Sequence, residues 1–467
     1  MTRCLLWLSW TDALERIYRR RFLAVTALAA VLALISVRIG SRELADRREE
    51  AQHLVSAAEA SEGLLSGRQL QPAFRVVRQP EPLSVFVRGL EASAPTAWDF
   101  SASGAHPNAP APTAGVQGWT ISLDLEFVVR IVLSLLALLS AIDGPRGQRT
   151  NEVLRDLRSL PISAPVAVGS QVLGGLLATA MAAAIVFAAM CVGGGGMDSG
   201  RSLGTLAGFL GMAVVYASIF FLIGLHIALP IARVQSAMAA GVVVWAILTL
   251  AVPPVLDLAQ FRRGQTPVAL GEADLQKQFD LSVRSTEKRL GETLVALAGS
   301  RRDWEALLNV PAVREQLETL WRDSVAERRL ESLHPDPRPD PWTPFLRWLS
   351  LASPATLLSS AMTRLADTGA PSLDRWSTAI DERRRQLNRL YFDDPARVTV
   401  RIPATAGGEL LSFVRHEATA PASVPKFEIP GRSDWNRWQA AIVPFAELLV
   451  VSALLILWLL YRGAAVA

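Results

Sequence analysis

The stretch LGTLAGFLGMAVVYASIFFLIGLHI, residues 203–227, carries no Asp, Glu, Lys or Arg. A helix crosses a hydrocarbon core of ~30 Å with about 20 mainly apolar residues at ~1.5 Å rise each. This stretch is therefore long enough to span a bilayer, and soluble helices seldom stay apolar on every face for so long. Outward from it lie five more runs of similar character, at 22–39, 125–142, 166–192, 237–256 and 438–460. Only Pro230, Arg233 and Gln235 break the chain between the fourth and fifth runs, so the parity of the topology depends on that turn. Two polar inserts, 40–124 and 257–437, separate the first run from the second and the fifth from the sixth. The fold class expected is mainly α, a polytopic membrane protein with six transmembrane helices plus an α+β extracytoplasmic domain.

An apolar fraction of 51% in a chain still 19% charged fits a protein divided between lipid and water. The net charge of +4 matters less than where the arginines sit. Arg16, Arg19, Arg20 and Arg21 precede the first run, and Arg146, Arg149, Arg155 and Arg158 lie between the second and third. Arg233 and Arg462 fall on the same side, against Arg201 alone in the short segment opposite. The positive-inside rule places both termini in the cytoplasm and both inserts outside, as in a multi-pass protein of the bacterial inner membrane. Residues 1–21 lack the order of charge, apolar run and small-residue site that marks a cleaved leader, and are read as retained. Cys4 and Cys191 then fall on opposite sides and form no disulfide framework.

Within residues 1–21, Leu5, Leu6, Trp7, Leu8 and Trp10, followed by Leu14, Ile17 and Tyr18 among charges, predict an amphipathic helix at the cytoplasmic interface. In the first insert a charged helical stretch covers 41–65, the one strand-like piece is 83–87, and 106–115 reads as turn and loop. In the second, helical spacing covers 275–297, 313–330, 354–365 and 373–390, with a proline-dense break at 334–344 and strand-like alternation at 398–402 and 410–414. Small residues every fourth position, Gly174, Ala178 and Ala182 and again Gly204 and Gly208, predict close helix crossings within the chain.

Residues able to carry chemistry are sparse. The five histidines are scattered, and neither a zinc spacing nor a nucleophile elbow appears. His334, Asp336 and Asp340 read as a solvated loop and not a metal site. The glycines at 193–196 lack the lysine and hydroxyl that hold phosphate and Mg²⁺, so no ATPase site of its own and no cofactor are expected. Arg130 and Glu447 are charges inside membrane runs, in the outer part of each, and are expected to form an intramembrane ion pair. The most suggestive local pattern is GPRGQRTNEVLRDLRSLPIS, within the connection 143–165. Asn151 can cap a short helix that Pro161 ends; Val153, Leu154 and Leu157 give it an apolar edge, and Arg155 and Arg158 give it charge. Such a helix suits docking to a partner protein.

This order of charged loop, short helix, Leu-Pro-Ile-Ser and glycine-bearing span resembles the cytoplasmic connection of permeases in the type-2 ABC exporter superfamily. Pro161, Ile162, Ser163 and Gly169 match its pattern, while Glu152 and Val153 stand where Gly-Thr is usual and Ser170 where Lys is usual. The six-span plan with inserts after spans one and five is similar to a bacterial subfamily of these permeases, as are 353–358, 365–369 and 374–391 of the second insert. The resemblance implies a permease subunit moving a substrate, or force, with ATP and Mg²⁺ bound by a separate cytoplasmic ABC ATPase subunit. It further implies a coupling helix at 149–163, a second permease as homodimer or paralogous heterodimer, and an interfacial N-terminal helix. The expected partners are that ATPase, the second permease and the lipid bilayer, with no nucleic acid. The alternative from another class is a membrane-anchored extracytoplasmic binding or scaffold protein without transport.

Overall fold

A computed structural model describes residues 2–64, 74–91, 96–101, 104–107, 123–143, 164–193, 203–231, 233–253, 296, 310–312, 315, 319, 353–387, 399–403, 410–414 and 433–466. The chain starts with a short helix α1 (Thr2–Ile17), then α2 (Arg20–Leu64). The remaining spans are α3 (Leu125–Asp143), α4 (Ala164–Gly193), α5 (Leu203–Ala228) and α6 (Val234–Ala251). Two helices of the second insert, α7 (Pro354–Ala366) and α8 (Ala370–Leu387), precede α9 (Asp434–Val466). Among the described residues, six helices (α2 to α6 and α9) are long and apolar enough to cross a membrane. The protein is a mainly helical, multi-pass membrane protein. The charged stretch expected to be helical at 41–65 is helical as far as Leu64, and α2 runs unbroken from the first span into it.

The fourth span is the hub. Phe209, Met212, Tyr216, Ile219 and Phe220 of α5 are fully buried, because neighbours cover it on several sides. A Cβ on Gly224 would stand 2.6 Å from the Leu138 carbonyl oxygen, and one on Gly241 2.9 Å from Leu138 Cδ2, so α5 and α6 both reach the same turn of α3. The chain therefore reverses between Ala228 and Val234, and the parity expected from the polar break holds. Spans one, five and six turn Val31, Ile35, Val243, Ile247, Val450 and Leu454 outward, a surface stable only in a hydrocarbon solvent or against another apolar chain.

Two spans depart from α-helical register, and a third carries an internal proline. In α3 a π segment covers Val128–Leu133: the Ser134 N–H reaches Val129 and Ile131, and the Arg130 carbonyl accepts from the hydroxyls of Ser134 and, at 3.3 Å, Tyr216. Trp245 Nε1 donates to Ser134 Oγ at 2.8 Å, so spans two, four and five share one buried polar chain. In α6 a second π segment covers Ile247–Ala251, just before Pro253. In α9, Pro444 stands inside the helix.

At the end of the bundle that carries the inserts, β1 (Phe74–Val77), β2 (Ala97–Ser101) and β3 (Gly104–Pro107) form an antiparallel sheet in the order β1-β2-β3. β4 (Thr399–Pro403) and β5 (Leu410–Val414) pair antiparallel as the alternation predicted. Two local expectations are corrected. His106 lies in β3 and not in a loop. The segment 83–87 is not a strand: Pro82 opens a 3₁₀ turn over Pro82–Val85, and Leu83, Val85, Phe86 and Val87 are all buried, which no two-faced strand pattern requires. Phe86 lies 6.3 Å from Phe209 of α5, and its carbonyl accepts from Leu125 N–H at 2.9 Å. Asp124 caps α3 by accepting from Phe127 N–H at 2.8 Å.

The two inserts meet here. Leu90 N–H donates to the Thr368 carbonyl at 2.8 Å, Arg78 lies over the Trp376 ring at 5.6 Å and pairs with buried Glu91, and Glu81 pairs with Arg437. The helical stretches expected at 275–297 and 313–330 fall almost wholly outside the described residues. So do the proline-dense stretch 334–344 and its His334, Asp336 and Asp340.

Candidate coupling site

At the opposite end of the bundle, where the termini lie, α1 packs across α4 with an unusual division of faces. Ser9, Ala13 and Arg16, spaced to one side of a helix, are buried against the protein, whereas Leu6, Trp7 and Trp10 point away from it. An aromatic face turned outward beside spans is the arrangement that lipid at the interface stabilises. The approach to α4 is close enough to require glycine: a Cβ on Gly174 would lie 2.5 Å from Asp12 Oδ2 and 2.7 Å from the Ser9 carbonyl. Ala178 and Ala182 continue that stripe and are buried, so small-residue packing within the chain, as expected, explains it.

The buried face of α1 grips the end of the second span. Arg16 Nε binds Asp12 Oδ2 at 2.8 Å, its Nη1 donates to the Ser140 carbonyl at 3.0 Å, and the guanidinium lies 5.5 Å from the Phe221 ring centroid. Arg19 reaches the Asp143 carboxylate at 3.2 Å and its carbonyl at 3.4 Å. The last four carbonyls of a helix have no partners of their own and sit at the negative end of its dipole. Arg16 on α1 and Arg19 in the link to α2 satisfy two of them on α3. Burial pushes the Asp12 carboxyl above its ordinary value, and Arg16 beside it pulls the other way.

Asn151, Val153, Leu154, Arg155, Leu157, Arg158 and Pro161 lie outside the described residues, in the connection between Asp143 and Ala164. Both ends of that connection are in view. It leaves α3 at the residue Arg19 holds and enters α4 less than three turns before Gly174, where α1 crosses. Asp12, Arg16 and Ser140 were not picked out in the sequence. The signal was there, an Asp and an Arg four apart on an amphipathic helix, but nothing local shows that they turn inward.

The expected pair of Arg130 with Glu447 does not form. Arg130 binds Glu126, 3.1 Å away and one turn earlier on α3. The sixth span packs on α5 and α7, not on the second, and Glu447 has no ion-pair partner among the described residues. Among those residues no three His, Cys, Asp or Glu side chains group as a metal site.

Among the described residues, then, six membrane-length helices carry a short helix packed across one end, beside both borders of a single connection. The family model of the ABC-2 family transporter proteins matches residues 6–457, nearly the whole chain, and the protein belongs to that family of ABC transporter permeases. No curated protein matches the chain.

Proposed function

We propose that the chain is the membrane subunit of an ATP-driven exporter of the bacterial inner membrane, with both termini in the cytoplasm. ATP is hydrolysed by a separate ABC ATPase subunit, and a second permease completes the pathway. The family supports the permease role and the ATPase partner. The observation that carries the coupling reading is the double clamp: α1, with the Arg19 link that follows it, holds the end of α3 at Ser140 and Asp143 and crosses α4 at Gly174. A push on 149–163 reaches the bundle there, because in sequence that connection runs from the end of α3 to the start of α4. Arg155 and Arg158 supply the charge that seats this connection in the ATPase, and Val153, Leu154 and Leu157 its apolar edge.

The two inserts form an extracytoplasmic domain of mixed helix and strand that governs what the permease handles. Its clasp over the insert end supports this, since Arg78, Glu81 and Leu90 of the first insert all bind residues that follow span five. The test is to reverse Arg155 and Arg158 to Glu together in the purified complex with its ATPase. The chain should insert and the complex should lose at least about tenfold of its coupled ATP hydrolysis, the weight of one to two charged contacts. Undiminished hydrolysis with the ATPase still bound would overturn the coupling assignment.

A further inference from the structure

Helix α7 is almost entirely buried, with Ala355, Leu358, Ala361, Met362 and Leu365 in the core between spans four, five and six. It is fastened at both ends to backbone carbonyls, and both are carbonyls that a proline has released. In α6 the Val252 N–H goes to the Ile247 carbonyl in π register, so it is not available to Leu248, its ordinary partner in an α-helix. The next possible donor to Leu248 is residue 253, a proline with no N–H. Ser353, the residue that opens α7, donates its hydroxyl to that Leu248 carbonyl at 3.2 Å. In α9, Pro444 cannot donate to the Ala440 carbonyl four residues earlier. Arg364, in the last turn of α7, donates Nη1 to it at 3.5 Å.

Both fastenings therefore sit on features, a π segment and an internal proline, that are the usual causes of a kink. The last turn of α7 is wedged as well: a Cβ on Gly208 of α5 would stand 2.6 Å from the Trp438 ring and 2.9 Å from Leu365 Cδ2, so α5, α7 and α9 meet without a gap there. Beyond Arg364 the helix closes at Asp367, with φ of 60°, and Thr368 N–H returns to the Thr363 carbonyl at 2.9 Å. The Asp367 carboxylate then binds Arg375 of α8. A body so packed transmits a displacement instead of absorbing it.

We propose that α7 is a strap joining two hinges, the π segment of span five and the Pro444 break of span six, so that the insert-end halves of these spans bend together. Ser353 and Arg364 are its fastenings. The proposal concerns how the spans move, and its test reads backbone opening and not transport, so it stands or falls apart from the exporter reading.

The experiment is amide hydrogen exchange of the full-length chain in lipid nanodiscs, followed on peptides covering 247–253 and 440–447. Ser353→Ala should speed exchange roughly tenfold, the weight of one hydrogen bond, at 247–253, in the span it fastens, and also at 440–447. Arg364→Gln should do the same and reach 247–253. The double variant should exchange no faster than about threefold above the faster single, because a strap cut at one end is already cut. Pro444→Ala works in the opposite direction: it restores a donor to Ala440 and should slow exchange at both sites. Effects confined to the span whose carbonyl the substituted residue fastens or, for Pro444→Ala, to span six itself, would overturn the strap.

Discussion

Glu81 and Arg437 stand 356 positions apart in the chain and 3.0 Å apart in space, binding the first insert to the opening turn of the sixth span. The pair is largely out of water, with about a fifth of the Glu81 side chain still exposed. Burial pushes the Glu81 carboxyl from 4.5 up to about 6; Arg437 pulls against the rise, Asp367 and Glu91 add to it, and Arg78 opposes it. Desolvation outweighs attraction here, as it does for many buried pairs.

A pH dependence follows. The folded protein holds the Glu81 proton more tightly than the unfolded chain does, so this contribution to stability is fully present below about pH 4.5 and is lost as the pH rises through about 6. Its size is about 2 kcal/mol. Thermal unfolding of the detergent-purified chain between pH 4.5 and 7 should show that slope in the natural protein and not in Glu81→Gln. Arg437→Gln removes the opposing charge and should shift the inflection above 6. An identical slope in Glu81→Gln would assign the titration to another group.

Arg16 and Asp12 predict an order of effects. Arg16→Met strips Asp12 of its partner and returns the Ser140 carbonyl to its orphan state, so it should destabilise α1 by about 1–3 kcal/mol. Asp12→Asn should cost less, because Arg16 keeps Ser140 and the Phe221 ring. Protease cleavage within residues 2–19 measures the release of the helix. Equal susceptibility of the two variants would mean that the grip on α3 contributes nothing.

The six spans and their parity were legible because hydrocarbon demands long apolar helices and leaves no other reading of residues 203–227. What the sequence concealed is which way each helix faces. Arg130 and Glu447 lie in the outer parts of their runs, yet Glu126 stands one turn from Arg130 and takes it, a contact within one helix that no assumption about neighbours is needed to find. The faces of α1 were hidden for the converse reason: its aromatic side meets lipid, and Arg16 is buried because the end of another helix offers it carbonyls. The segment 83–87 looked like a strand by composition, but burial on every side and Pro82 at its head make it a turn in the core. β1 to β3 are strands of four or five residues with mixed polarity, too short for periodicity to reveal.

The polar chain through the middle of the bundle predicts unequal losses. Tyr216→Phe removes the hydroxyl on the Arg130 carbonyl, which keeps the Ser134 hydroxyl, and should cost about 1 kcal/mol. Trp245→Phe removes a donor to Ser134 Oγ and a buried ring edge, and should cost about 2–3 kcal/mol. Unfolding midpoints in a mild detergent compare the two. Tyr216→Phe the more damaging would place the weight of the network on α5, not α6.

Gly174 and Gly224 separate the clamp from the bundle it acts on. A side chain at Gly174 collides with Asp12 and Ser9 of α1, a short helix that can lift away into the interface with its aromatic face still in lipid. A side chain at Gly224 meets the Leu138 carbonyl and Ala141 Cβ, on two spans that have nowhere to go. Gly174→Val should therefore leave the global unfolding midpoint nearly unchanged while amide exchange across 2–17 rises at least about tenfold. Gly224→Val should lower global stability by about 1–3 kcal/mol, the usual range for overpacking a tight crossing. If α1 transmits force from the connection, Gly174→Val should also uncouple ATP hydrolysis from the permease with the complex intact. A Gly174→Val protein that unfolds as a whole, with no selective exposure of 2–17, would show that α1 is a structural part of the bundle instead of a separable clamp.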